Sequence, residues 1–145
     1  DLFYMDPDST EVQAWLTTPA DESHGVFSPD DTWIAYQSDE SGIFEVYLDR
    51  FPGRGERFQV SRGGGSQPRW SRDGRELFYA SANREVVAVP IDLQSERRPI
   101  GEPTTLFRAN LRYDYFDAHP DGERFLVIER LDPKINRAIL LDDWD

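Results

Sequence analysis

The sequence predicts an all-β fold, and three observations support that prediction. One pattern repeats three times at long intervals, each copy places a turn motif between two apolar runs, and aromatic residues make up 13% of the chain. Aromatic side chains pack well on a pleated sheet. By contrast, we find no window that combines helical apolar periodicity with capping residues. The 145 residues suffice for one sizeable core.

The repeat is centred on an aspartate, and its copies are spaced by 43 and 48 residues. Apolar residues lead into a Pro-Asp-Gly-like turn and a second apolar run leads out. Aspartate accepts backbone N–H groups in such turns and glycine adopts positive φ freely, so each copy is predicted to form a β-hairpin. We assign a structural role to the turn residues Asp30, Asp73, Gly74, Asp121 and Gly122.

A repeat of roughly 40–50 residues is typical of a four-stranded β-propeller blade. The predicted strands at 33–36 and 125–128 are apolar on both faces, as expected for a sheet packed between two neighbours. We therefore predict a β-propeller fragment of about fourteen strands, or about three to three and a half four-stranded blades. The predicted divisions are a partial blade at 1–22, blades at 23–65 and 66–112, and a partial blade at 113–145.

An arc of this size leaves two end blades with exposed apolar surface and strand edges, because propeller rings usually close with about four to eight blades. Such surfaces favour association. We expect either self-association of two chains into a dimer or completion by missing blades of a parent chain. The sequence begins without an initiator Met, which indicates a segment of a longer precursor that carries any signal or anchor.

Composition narrows the classes of partner and cofactor. A net charge of -12 argues against nucleic acid as a partner, because phosphate contacts need a basic face. No apolar run has the length of a membrane span, so no direct membrane insertion is expected. The absence of cysteine excludes disulfides and thiolate metal sites. We expect no cofactor and no metal.

The run 51–79, with Trp70-Ser71-Arg72-Asp73-Gly74 near its end, closely resembles TolB-like (WD-like) bacterial β-propeller repeats. It is most similar to the C-terminal propellers of bacterial serine/threonine protein kinases, and the resemblance covers nearly the whole chain. The resemblance implies a protein-binding or ligand-sensing module, usually extracytoplasmic, in the periplasm or at the cell surface. The chain has no Gly-rich phosphate loop, His-Arg-Asp or Asp-Phe-Gly motif. We therefore expect a non-catalytic module, with no enzymatic activity in this segment.

Two enzymatic alternatives remain open at this point. Similar repeats form the substrate-filtering propeller of prolyl-oligopeptidase-like hydrolases, which would require a hydrolase domain elsewhere in the parent chain. A propeller that is itself hydrolytic, as in lactonase-like rings, is disfavoured by the presence of only two histidines.

Candidate binding residues lie on the strand that precedes each turn. His24, Gln67 and Tyr115 each stand six residues before the turn aspartate of their copy, so they occupy equivalent positions on the innermost strand. Side chains there can reach the central channel of a propeller. Tyr113 and Arg69 add a recognition surface, since Tyr and Arg are enriched at binding hot spots.

Three weaker patterns receive mainly structural interpretations. His119 replaces the serine found two residues before the aspartate in the other copies, which predicts a turn-capping side chain. The glycine run at 63–65 lacks the lysine and helix of a phosphate-binding loop and is predicted to join two strands. A metal site formed by His24 with Asp21 or Glu22 is the alternative for that histidine.

Overall fold

A computed structural model describes residues 1–53, 55–95, 97–109, 111–132 and 135–141, including the side chains of all except 111–114, 129–132 and 135–141. The regular structure in these ranges is entirely strand, and they contain no helix able to cross a membrane. The strands are β1 (Leu2–Tyr4), β2 (Gln13–Leu16), β3 (Glu22–Phe27), β4 (Trp33–Ser38), β5 (Glu45–Arg50), β6 (Phe58–Gln59), β7 (Gly65–Trp70), β8 (Glu76–Ser81), β9 (Glu85–Pro90), β10 (Thr104–Arg108), β11 (Leu111–Ala118), β12 (Phe125–Asp132) and β13 (Ile135–Leu141).

The strands form four antiparallel sheets in chain order, which we number one to four. The first contains β1 and β2, the second β3 to β6, the third β7 to β10, and the fourth β11 to β13. Within each sheet every strand pairs with its neighbour in sequence, and the second and third sheets have four strands each, which confirms the predicted all-β fold of blade-like sheets. The described residues hold thirteen strands rather than about fourteen, because the short link 17–21 leaves no room for an outer strand in the first sheet.

Each turn aspartate accepts hydrogen bonds from the residues around it. In the second sheet, Asp30 Oδ1 lies 2.6 Å from Ser28 Oγ. In the third, Asp73 Oδ1 accepts hydrogen bonds from Ser71 Oγ at 2.8 Å and from the Arg75 backbone N–H at 3.0 Å. These bonds close the turn between the first two strands of the sheet and fix the register of the hairpin.

The third copy of the turn uses a different side chain for the same contact. His119 Nδ1 lies 2.8 Å from Asp121 Oδ2, where the other copies have a serine hydroxyl. The residue after each aspartate is left-handed, with φ of 58° at Asp31, 72° at Gly74 and 74° at Gly122. The first copy therefore holds a non-glycine residue in a conformation that usually favours glycine.

The sheets pack face to face, and alternate residues of one strand enter different cores. Leu77 and Tyr79 of β8 pack against the second sheet, whereas Phe78 and Ala80 pack against the fourth, with Phe125 in the same core. All six residues of β4 are buried as well. Burial on both faces explains the continuous apolar runs, since alternation is expected only when one face is wet.

Candidate functional site

The first strands of the sheets lie side by side, with β7 beside both β3 and β11. A β-bulge or similar shift of register interrupts the pairing of β3 with β4, and another interrupts the pairing of β7 with β8. One residue within each irregularity is left-handed, with φ of 54° at His24 and 58° at Gln67. Positive φ is uncommon for residues other than glycine and costs on the order of 1–2 kcal/mol. Two sheets thus hold polar residues in strained backbone at equivalent positions.

The side chains of these strands form a continuous polar group across three sheets. His24 Nε2 lies 3.1 Å from Gln67 Nε2. Gln67 Oε1 accepts a hydrogen bond of 3.3 Å from Arg69 Nη2, and Arg69 Nε lies 3.5 Å from Asp117 Oδ1. We call His24, Gln67, Arg69 and Asp117 the inner-strand cluster.

The contact between His24 and Gln67 specifies a tautomer. An amide nitrogen can only donate, so the Nε2 atom of His24 must be the unprotonated acceptor. The proton of the neutral ring then lies on Nδ1, which is 3.3 Å from the Ser23 hydroxyl.

Hydrogen bonds to neighbouring residues, one of them buried, hold the inner-strand cluster in place. The Gln67 backbone N–H donates to Oε1 of the buried Gln37 at 3.1 Å, which satisfies a donor that the bulge would otherwise leave without a partner. Trp70 Nε1 donates to the Val26 carbonyl at 3.3 Å and ties β7 to β3. The Arg69 side chain is 21% exposed, so its guanidinium is positioned by the protein yet reachable from solvent.

Most of the candidate residues identified from the sequence converge here. His24, Gln67 and Arg69 are in contact, and Tyr115 lies on β11 with 38% exposure. The Tyr113 side chain falls outside the described residues. Asp117 was not singled out from the sequence as a candidate, although it stands two residues after Tyr115 on the same strand and so shares its face.

The alternative metal site does not assemble around His24. The Asp21 backbone N–H donates to Asp39 Oδ1 at 2.8 Å, and Glu22 is buried with its carboxylate bonded to Thr18. Among the residues whose side chains are described, no three His, Asp or Glu side chains are grouped so as to hold an ion.

The glycine run joins β6 to β7 and surrounds a carboxylate. The Gly64 backbone N–H donates to Oε1 of the buried Glu45 at 3.0 Å, and the Ser61 hydroxyl donates to the other oxygen. The nearby carboxylate disfavours a phosphate in the same place, because the two groups would carry like charge. The geometry therefore favours a strand connection here, stabilised by Glu45.

The turn aspartates, at the other end of the first strands, are electrostatically distinct from this cluster. The Arg75 backbone N–H, followed by the Ser71 hydroxyl, holds the pKa of Asp73 below its usual value. At Asp121 the Glu123 backbone N–H is the main cause of a lowered pKa, with Arg124 and His119 adding to it. Both carboxylates are therefore ionised at neutral pH and committed to the turns.

No protein-family model and no curated protein matches this chain. Solved structures do, and one is titled oligogalacturonate lyase from Vibrio parahaemolyticus, with a TM-score of 0.63, 17% identity, and coverage of 88% of this chain and 35% of that one. A putative TolB from Agrobacterium tumefaciens gives a TM-score of 0.62, 18% identity, and coverage of 86% and 46%. A putative 6-phosphogluconolactonase from Bacteroides uniformis gives 0.59, 15%, and coverage of 97% and 48%.

These comparisons correct the expectation that the segment has no enzymatic activity. Structures with this fold include ones named as a lyase and as a putative lactonase, so the absence of kinase motifs was not a sound basis for excluding catalysis. The chain spans between about a third and a half of the length of these three structures. At such low identity the likeness establishes the architecture alone. The four consecutive antiparallel sheets of this chain are blades, and the chain has the β-propeller fold.

Proposed function

We propose that this chain is a binding module whose inner-strand cluster contacts a protein or small-molecule ligand. The observation that supports the proposal is the pair of left-handed residues, His24 and Gln67, bonded to each other from equivalent positions in adjacent blades. Strained backbone persists only where the surrounding structure over-determines it, and such residues concentrate at ligand-binding sites. Here the strain positions polar side chains that remain accessible to solvent.

The chemistry of the cluster favours a polar ligand with both donor and acceptor groups. Arg69 supplies a cation in a chain whose net charge is -12, and Asp117, 56% exposed, supplies an anion beside it. Tyr115 adds an amphipathic ring of the kind that anchors binding interfaces. Inner strands surround the central channel of a propeller, which is a concave site on a rigid scaffold.

Binding can be tested with a thermal-shift screen of peptides and of neutral and acidic saccharides, followed by titration of each ligand found. Arg69→Ala is expected to weaken binding by about thirtyfold, the typical effect at a hot spot. Arg75→Ala is the matched control, because Arg75 is 85% exposed at the β7–β8 turn. A ligand bound equally well by wild type, Arg69→Ala and Gln67→Ala would refute the assignment of the site.

We also propose that the chain works as part of a larger extracytoplasmic protein, such as a receptor-type serine/threonine kinase or a TolB-like protein. The motif resemblance and the partial coverage of longer propellers support this context. Proteomic localisation of the parent protein would test the compartment, and its recovery in the cytoplasm alone would contradict it.

We also propose that two copies of this chain associate through the first blade, which has only two strands. Phe3, Met5 and Val12 are more than half exposed there, and such apolar surface favours contact with another chain or with further blades of the same parent. Sedimentation velocity over a wide concentration range should show a dimer that Phe3→Asp dissociates. A monomer at every concentration would exclude pairing of this chain with itself.

A further inference from the structure

We propose a second ligand site, distinct from the inner-strand cluster, in the cleft between the second and third blades. A cavity of about 500 Å³ lies there, between the end of β6, the β8 residue Tyr79 and the segment 98–103 that leads into β10. Its chemistry is that of a receptor for a small anion bearing carboxylate or phosphate groups. The volume lies within the range of roughly 300–1,000 Å³ that small-molecule sites occupy.

The backbone on both sides of the cavity is fixed by hydrogen bonds. The segment 98–103 runs alongside the end of β9. The Asp92 N–H donates to the Pro99 carbonyl and the Gly101 N–H donates to the Pro90 carbonyl, each at 2.8 Å. On the opposite wall the Val60 N–H donates to the Val46 carbonyl at 2.8 Å. These hydrogen bonds therefore hold both walls of the cavity in fixed positions.

Two arginines line this cavity without partners. Among the residues that the structure describes, the guanidinium groups of Arg62 and Arg98 make no hydrogen bond or ion pair, whereas Arg57 pairs with Glu40. The Arg62 and Arg98 side chains are both exposed, in a chain that has 16 basic and 28 acidic residues. Glu102 is the sole carboxylate among the lining residues, which leaves an excess of positive charge.

Tyr79 adds a neutral hydrogen-bond donor to the two arginines. It is only 6% exposed and lines the cavity, yet its hydroxyl has no hydrogen-bond partner within the described part of the chain. The hydroxyl is not among the fully buried polar atoms, so water reaches it, and an anion in the cavity would replace that water as the acceptor. Burial, with smaller effects of Glu45 and Glu85, raises the pKa of this phenol, which keeps its proton available for donation.

The donors together define the class of ligand. A guanidinium binds carboxylate and phosphate oxygens through two parallel hydrogen bonds, and a phenol donates one more to the same kind of acceptor. Val60 and Ile100 give the cavity an apolar floor, which suits an organic anion with a carbon skeleton.

Calorimetric titration with citrate and with inorganic pyrophosphate tests the site, and maltose serves as the neutral control. Wild-type protein should bind at least one of the two anions and not maltose. Arg62→Gln and Arg98→Gln should each weaken binding by about tenfold or more, as expected for a charged hydrogen bond. Tyr79→Phe should weaken it by roughly two- to tenfold, and Glu102→Gln should strengthen it by removing the repelling carboxylate.

Arg75→Gln is the matched control, since it removes one exposed positive charge that does not line the cavity and should leave the affinity nearly unchanged. His24→Ala should also leave it unchanged, which separates this site from the inner-strand cluster. Failure of wild-type protein to bind either anion would overturn the proposal. Equal affinity of wild type and the Arg62→Gln, Arg98→Gln double variant, with circular dichroism confirming that the variant is folded, would overturn it as well.

Discussion

Replacement of Phe78 by alanine tests whether the blades are held together by interdigitated side chains. Phe78 is fully buried between the third and fourth blades and meets Phe125 edge to face, with ring centroids 4.9 Å apart. Truncation of a fully buried phenylalanine costs about 3–5 kcal/mol, which includes roughly 0.5–1.5 kcal/mol from the aromatic pair. With a urea m-value of about 2 kcal/mol/M, the unfolding midpoint should fall by roughly 1.5–2.5 M.

Urea titration followed by tryptophan fluorescence and circular dichroism provides the assay. Ile43→Ala is the control, because Ile43 is 52% exposed and its truncation should cost only about 1 kcal/mol. If Phe78→Ala unfolds the chain completely, Phe78→Leu gives a graded result with a cost below about 1.5 kcal/mol. Equal destabilisation by Phe78→Ala and Ile43→Ala would refute the interdigitated packing between the blades.

Three further predictions concern the turns and the loop before β7. Asp31→Gly should raise the free energy of unfolding by about 0.5–1 kcal/mol, because it relieves a left-handed aspartate. Gly74→Ala should lower it by about 1–2 kcal/mol, because it places a side chain on a left-handed residue. Thermal denaturation measures both changes. The lowered pKa of Asp73 stabilises the fold above its unfolded-state pKa of about 4, and this contribution is lost as pH falls further, so Asp73→Asn should flatten the acid dependence of stability in urea titrations. Ser61→Ala should cost about 1–3 kcal/mol in chemical denaturation, because the buried Val46 N–H loses an acceptor at 2.8 Å; no change would show that the N–H has another partner.

The sheet architecture could be predicted because its determinants are local and repeated. The spacing of Asp30, Asp73 and Asp121 marks the hairpins, and the apolarity of β4 and β8 on both faces indicates sheets stacked between neighbours. The first blade has no outer strand because the link 17–21 between β2 and β3 is too short to contain one. Counting four strands for every complete blade therefore gives one strand too many in the first blade.

The candidate site could be predicted only in part. Equivalent positions placed His24, Gln67 and Tyr115 on the same strand of successive blades, but neither histidine nor glutamine carries a sequence signal for positive φ. The contacts with Asp117 and with the buried Gln37 cross from one blade to the next, so they depend on the packing between sheets. The expectation of no catalysis was wrong because the absence of kinase and phosphate-loop motifs says little about other chemistries, and one fold hosts many of them.

The cleft that contains Arg62 and Arg98 has no counterpart in the sequence pattern. The two arginines lie in different blades, and neither belongs to the recurring turn motif. Their proximity to one cavity results from the path of the segment 98–103 along the end of β9.

The contact between His24 and Gln67 depends on the packing of the blades, because the two residues are 43 positions apart and meet only if successive blades pack with their inner strands side by side. Nuclear Overhauser spectroscopy can detect it through cross-peaks between the Gln67 side-chain amide protons and the His24 ring. These cross-peaks are expected at neutral pH, together with those between β7 and β8. Cross-peaks within each sheet but none between His24 and Gln67 would contradict both the blade packing and the proposed site.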